Sequence, residues 1–297
     1  MLAPNSRGRI TIDPTRIRPD SLDALDQYSH IWVVFVFHLN TNTKVVKKAA
    51  AAGYQTFPSK VSPPALGGKK VGVFATRTPH RPNPIGFSLC KIDRVDQKQF
   101  CVHVSGLDLV DGTPVLDIKP FVPHYDSVGF DVDSIPSSLR LPEWVSSGLD
   151  KRRTVVFSSE ADQQLENLVG DNVLEFYGGK LSKHETSDQA FRSARSCIIE
   201  VLSADVRSGY QTKKARKGKS QAEKALLKQR SNGSQKLLET GGPVMCTQQI
   251  DNLLIHFTTD FDLPPKGESN SESPGINSGC DDRVIVHKVE RFLSSGK

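Results

Sequence analysis

Sulfur is scarce and scattered in this sequence of 297 residues. The five cysteines, Cys90, Cys101, Cys197, Cys246 and Cys280, include no Cys-x-x-Cys pair, and their number is odd. That argues against a disulfide framework and a thiolate zinc site, and for a reducing compartment such as the cytoplasm. The eight histidines show no ligand spacing, so no metal is expected. Long apolar runs are missing as well. Residues 31–39 form the longest stretch, well short of the roughly 18 residues of a membrane-spanning helix, and residues 1–10 lack the apolar core of a signal peptide. No glycine-rich dinucleotide turn is present, because Gly67 and Gly68 run into Lys69 and Lys70 without the needed spacing, and there is no P-loop. At 37% hydrophobic residues, part of the chain has no core of its own.

Positive charge is plentiful. The net charge of +6 favours an acidic partner, nucleic acid being the usual one, against the bland reading of a solvated basic surface. Residues 213–236 hold nine Lys or Arg and one acidic residue, Glu223, with no aromatic side chain. Such a tract serves as an electrostatic arm, since it releases counterions on phosphate but offers no base stacking.

Turn residues separate many short strand-like segments at 9–12, 31–39, 71–76, 85–95, 99–105 and 113–120, with the 99–105 stretch alternating as a half-buried strand does. Residues 21–28 read as one or two helical turns with Ser21 as N-cap. Proline and serine mark 131–150 as a linker. Beyond it come helices near 158–170, capped by Ser159, and 190–202, then strands at 250–258 and 284–292. Residues 264–280 are rich in Ser, Gly, Pro and Glu and read as disordered. The fold class is therefore mainly β: a small barrel or sandwich over residues 1–130, a linker, and a smaller α+β domain over 151–297 that also holds the basic stretch 213–236 and the stretch 264–280.

Residues 72–88 are the most informative segment. An apolar strand ends, and Arg77, His80, Arg81 and Asn83 follow, interleaved with Pro79, Pro82 and Pro84, before Gly86. Each proline fixes its own backbone and restricts its predecessor, so these side chains project from a stiff loop that has little ordering entropy left to lose. Guanidiniums match carboxylates and phosphates. The bland reading makes Arg77 a surface ion-pair partner and makes His80 and Arg81 loop-stiffening hydrogen bonders. His38 ends an apolar strand, where a lone histidine is ordinarily a satisfied capping residue. Asp108, Asp111 and Asp117 cluster. Asp111 with Gly112 reads as a tight bend. Asp117 and Lys119 are two apart on a strand, which places them on one face as a paired barrel residue set or as part of a substrate cleft.

The block at 72–88, a second block from Ser105 to Phe121 and a third from His30 to His38 occur in an order that resembles the TrmO/TsaA-like family, strongly over residues 20–130 and weakly over 150–215. The resemblance implies a β-barrel S-adenosyl-L-methionine-dependent tRNA adenine-N6 methyltransferase acting on threonylcarbamoyladenosine beside the anticodon, working as a homodimer. It implies cofactor contacts at His38, Leu39, Arg77, Phe87, Ser105, Gly106, Leu107 and Asp108, with Arg81 and Lys119 toward the substrate. Asp117 and His80, with Asp111, are the candidates for moving a proton. Family members begin with an additional strand and a Pro-Arg-Gln segment. The sequence from Met1 starts just beyond these, so the barrel is expected to lack an edge strand, with Arg7 and Arg9 as substitutes. The alternative reading is a non-catalytic RNA-binding barrel without cofactor; a small-molecule-binding barrel without an RNA role is a third.

Overall fold

The computed structural model describes residues 3–39, 57–66, 68–127, 140–149, 152–178, 185–204, 245–259 and 283–292. The basic tract 213–236 and the segment 264–280 lie outside the described residues, as does half of the expected linker (131–139 and 150). The chain divides into two compact units, Met1–Asp150 and Lys151–Lys297.

The first unit is built on five strands: β1 (Arg7–Thr11), β2 (His30–Val36), β5 (Ile85–Asp96), β6 (Cys101–Ser105) and β7 (Val115–Pro120). They lie in the order β1-β6-β5-β2-β7, and every pair is antiparallel. Among the described residues no pairing joins β1 to β7, so the hydrogen-bonded order is an open sheet. Two short strands, β3 (Lys60–Val61) and β4 (Val71–Gly72), pair separately.

Alternation decides the faces. In β2, Ile31, Val33 and Phe35 are buried while Trp32, Val34 and Val36 are half-buried. Ile31 and Val33 join Ile10, Leu22, Cys90, Phe100, Val102 and Val104 in the core. Two glycines make room for it. A Cβ at Gly86 would come within 2.4 Å of Phe35 Cζ, and one at Gly8 within 2.3 Å of Leu107 Cδ1. Glycine inside a strand marks such close approaches.

Several elements differ from the sequence reading. Residues 99–105 alternate in sequence, yet all five residues of β6 are buried, and its polar members His103 and Ser105 are buried with hydrogen-bond partners. Ser105 Oγ donates to Asp93 Oδ1 at 3.0 Å, and an Arg94 N–H donates to His103 Nε2 at 2.9 Å. The strand expected over 71–76 stops at Gly72; a 3₁₀ turn, Val73–Ala75, follows, closed by Thr76 Oγ1 on the Val73 carbonyl at 2.8 Å. The helical segment at 21–28 is two 3₁₀ turns, Pro19–Leu22 and Leu25–Gln27, with Arg18 rather than Ser21 at the first N-cap. After one helical turn, α1 (Pro123–Asp126), part of the expected linker forms α2 (Glu143–Leu149).

In the second unit a four-stranded sheet runs β8 (Thr154–Phe157), β11 (Arg283–Arg291), β10 (Leu253–Thr259), β9 (Cys246–Ile250), with β8 and β11 parallel. Helices α3 (Ser159–Gly170) and α4 (Ser187–Ser203) pack on it through Ala161, Leu165, Val169, Ala194 and Ile198. The α3 cap is Ser158, one residue before the expected Ser159; its Oγ accepts from the Ala161 N–H at 3.1 Å. A capping box between Thr186 and Gln189 starts α4.

Candidate functional site at the start of β5

The proline-bounded loop delivers its cations onto aromatic rings. Arg77 places its guanidinium 4.9 Å from the centre of the Phe87 ring, and Arg81 lies 5.9 Å from that of Phe74. Both rings are exposed, Phe87 at 48% and Phe74 at 76%. A guanidinium over an exposed ring gains about 0.5–1 kcal/mol, so these contacts orient the arginines without consuming their hydrogen-bond donors. His80 is exposed on the same loop, its backbone N–H reaching Thr78 Oγ1 at 3.4 Å. At the end of β2, His38 is half-buried and Leu39 is exposed; the Phe37 N–H donates to the Pro84 carbonyl at 2.8 Å, tying this strand end to the loop.

The segment after β6 arrives next to the same strand. Gly106 turns the chain with a φ of 85°, a conformation that favours glycine. The N–H groups of Gly106 and Leu107 donate to the Ser6 carbonyl at 2.8 and 3.3 Å. They fasten β1, so the cofactor contacts that the resemblance implies at Gly106 and Leu107 would come from groups other than these N–H donors. The Ser105 hydroxyl is likewise used, on Asp93. Asp108 is exposed and accepts from Ser88 Oγ at 2.5 Å. Burial, with Asp108 nearby as a lesser cause, pushes the Cys90 thiol up to about 12, so Cys90 is a core side chain and no nucleophile.

Arg77 and Asp108 thus meet β5 at consecutive residues, Phe87 and Ser88. Successive side chains of a strand leave opposite faces, so the two contacts flank β5 instead of converging on one residue. Asp117 and Lys119 lie on the Phe87 face. Val34 is directly opposite both Phe87 and Asp117, and Trp32 is opposite Lys119. Lys119 Nζ sits 2.8 Å from Asp117 Oδ2, with side chains 67% and 50% exposed. The sequence spacing had pointed to this ion pair. At such exposure it contributes at most about 1 kcal/mol, so it holds a geometry more than it stabilises the fold.

Trp32 and Ser88 were within quoted sequence blocks but were not singled out. Trp32 meets Phe87 edge-on at 5.5 Å and Phe121 at 6.2 Å; its position two residues from His30 on the open side of β2 is the signal that marks it. An open groove lined by Asp26 and residues 94–98 contains none of the expected site residues. Among the described residues no three His, Cys, Asp or Glu cluster as metal ligands, and no helix is long and apolar enough to cross a membrane.

A family model described as the tRNA-methyltransferase O N-terminal domain matches residues 1–127. A Methanothermobacter thermautotrophicus protein described as a probable S-adenosyl-L-methionine-binding protein is 38% identical over 111 residues, covering 37% of this chain and 68% of that protein. The chain belongs to the TrmO family. Two further relatives are matched over less of their length. The mouse tRNA (adenine(37)-N6)-methyltransferase is 48% identical over 107 residues, 36% of this chain and 22% of its own. The Escherichia coli protein of the same description is 33% identical over 170 residues, 56% of this chain and 63% of its own. The chain therefore spans about a fifth of the length of the mammalian relatives. In fold, a crystal structure of TrmO from Pseudomonas aeruginosa matches with a TM-score of 0.54 at 22% identity, over 98% of this chain and 85% of that one.

Proposed function

We propose that this TrmO-family protein is an S-adenosyl-L-methionine-dependent methyltransferase that modifies N6 of an adenine in tRNA. The observation that carries the reading is the Arg77–Phe87 and Asp108–Ser88 pairing at the start of β5, in a chain whose relatives bear that description. The donor chemistry fits the cofactor: the Arg77 fork suits its carboxylate, and the Asp108 carboxylate suits ribose hydroxyls or the amino group. His38 and Leu39, at a strand end tied to the same loop, complete its surroundings. When bound, the cofactor supplies an electrophilic methyl group.

The chain's own residues then orient the acceptor and handle its proton. Attack through N6 releases one proton in all, during or after the transfer. A carbamoylated N6 is a weaker nucleophile and a stronger acid than a free amine, which suits the threonylcarbamoyladenosine beside the anticodon as substrate. Asp117 is the proton acceptor we favour over His80, because it shares a sheet face with Phe87 and Arg77. Lys119 and Arg81 provide cations for the threonyl carboxylate or for phosphate. Closure of the first sheet into a barrel, a homodimer, a cytoplasmic location and an accessory role for residues 151–297 belong to the same reading.

Incubation of the full chain with methyl-labelled cofactor and tRNA, followed by nucleoside mass spectrometry, tests it. The expected product is the N6-methylated form of the modified adenosine, with transfer lowered at least tenfold by Arg77→Ala and by Asp117→Asn. Unchanged transfer in both variants removes these roles, and no labelled nucleoside from any tRNA removes the activity.

A further inference from the structure

The far half of β5 carries positive charge that the proposed reaction does not use. Lys91 stands opposite Ser105 of β6 and His30 of β2, and Arg94 opposite His103, with Arg9 of β1 on the other side of His103. His103 and Ser105 are two apart on β6 and so leave the same face of the sheet. A bulge between Ile92 and Arg94 keeps Arg94 in step with Lys91 on that face. Lys98, in the turn that ends β5, shares an open groove with Arg94, Asp96 and Asp26. Arg9, Lys91, Arg94 and Lys98 are all exposed. The acids on β5 are engaged: Asp96 lies 3.0 Å from Arg94 Nη1 and accepts from the Gln99 N–H at 2.9 Å, and Asp93 accepts from Ser105 Oγ at 3.0 Å. Arg94 is held from two directions, by Asp96 and by the buried His103, yet its side chain keeps 48% of its surface in solvent.

A guanidinium oriented before any ligand arrives, with ammonium groups before and after it, suits a chain of anions. None of these positions holds a phenyl, phenol or indole ring, so an unpaired base finds nothing to stack on here. A second copy of the chain is a poor occupant, since a two-fold contact through this face would bring its cations together. We infer that Lys91, Arg94 and Lys98 form a track for the phosphate backbone of a base-paired RNA stem, with Arg9 at its border. The inference rests on the proposed tRNA methylation and deepens it, because it says how the rest of the RNA is held while one nucleoside reaches the start of β5. Arg94 lies roughly 20 Å along the strand from Phe87, so the track is remote from the Arg77 and Asp108 contacts. It sets the affinity for tRNA and the dependence of that affinity on salt, and it leaves the methyl-transfer step alone.

Full-length protein with Lys91→Gln, Arg94→Gln and Lys98→Gln combined tests the track. A matched control carries Arg192→Gln, Arg283→Gln and Lys288→Gln, at exposed cations of the second unit. The probes are a labelled RNA stem-loop that holds the target adenosine and the same loop as an unpaired oligonucleotide. Binding is followed by fluorescence anisotropy between about 50 and 200 mM salt. The track variant should lower the slope of log affinity against log salt for the stem-loop by about 2–3 and weaken its binding about tenfold or more, with the unpaired loop and the control variant little changed. In the methyl-transfer assay its KM for tRNA should rise while kcat stays as it was. Lys91→Glu alone leaves Asp96 and His103 undisturbed and should weaken the stem-loop in the same sense, which covers the case of a triple variant that folds poorly. An unchanged slope in the track variant, an equal loss on the unpaired loop or an equal loss in the control overturns the track and leaves the methylation reading standing. A fall in kcat at unaltered KM assigns these residues to the chemistry and also overturns it. A track-dependent slope in a chain that transfers no methyl group overturns the methylation reading instead, and absence of stem-loop binding overturns both.

Discussion

The two sheets of this protein treat their polar side chains in opposite ways. In the second unit, strands β10 and β11 pair theirs across the two strands and along β11: His256 Nε2 lies 2.7 Å from Glu290 Oε1 and Thr258 Oγ1 2.7 Å from His287 Nε2, while Lys288 Nζ lies 2.6 Å from Glu290 Oε2 on the same strand. Two helices cover the apolar side, and Tyr177, Leu165 and Ile198 are almost wholly enclosed there. Among the described residues the first unit has no such helices on its core, and its outer side keeps aromatic rings, a buried indole N–H with no described partner and the Asp117–Lys119 pair. The second sheet thus pairs its polar groups beside a covered apolar side, whereas the first leaves aromatic rings such as Phe87 exposed.

The largest expected effect separates the cores. Leu165→Ala removes a fully enclosed side chain and should destabilise the second unit by about 2–5 kcal/mol, with Ile31→Ala doing the same for the first. Both tryptophans belong to the first unit. Urea unfolding of Leu165→Ala should therefore shift the transition seen by circular dichroism and leave that seen by tryptophan fluorescence in place, and Ile31→Ala should shift the fluorescence transition. Coincident shifts in both variants would show that the two units unfold as one.

A smaller effect comes from filling the space over β5. Gly86→Ala pushes a methyl group onto Phe35 and Phe37 and should cost about 1–3 kcal/mol, measured as a lowered fluorescence midpoint. Phe35→Leu in the same chain should recover part of it. No recovery would mean that the glycine serves the backbone and not the ring.

The smallest is a pH effect confined to the first unit. Burial, reinforced by Arg94 and Arg9, holds His103 below its ordinary 6.5. The unfolded chain then takes up a proton that the folded one refuses, so stability is retained above the unfolded value and declines as pH falls from 6.5 toward the folded value. Melting curves from pH 7.5 to 5 (in steps of about 0.5) should show this decline, reduced in His103→Gln. An equal decline in that variant would assign it to other groups.

How much of this was legible in the sequence depends on what each feature needs. The β2, β5 and β7 strands follow from β-branched content and alternation, and α3 and α4 from their helical spacing, because those signals are local, although the α3 cap falls one residue before the expected Ser159. The Asp117–Lys119 pair was readable for the same reason, being set by strand geometry alone. The burial of all of β6 was hidden, since its polar members His103 and Ser105 are buried on partners from β5, Arg94 and Asp93, that its own alternation does not reveal. The commitment of the Gly106 and Leu107 amides to Ser6, a hundred residues away in sequence, left no local trace. Arg77 and Asp108 were picked out individually, yet their placement on either side of β5 depends on the register of Phe87 and Ser88, which no motif encodes. Trp32 resembled any other ring in an apolar run until its neighbours were known.

One detail of the second sheet bears on how this protein is made. Strand β11 lies between β8 and β10, yet a ribosome produces it after both of them and joins it in parallel to a segment more than a hundred residues upstream, where Ser158 Oγ donates to the His287 carbonyl. Until those codons are read, α3, α4 and β8 wait without the strand that bridges them to β10. A premature stop anywhere before residue 283 would therefore remove the keystone of this unit and release a nascent chain whose first domain alone can mature.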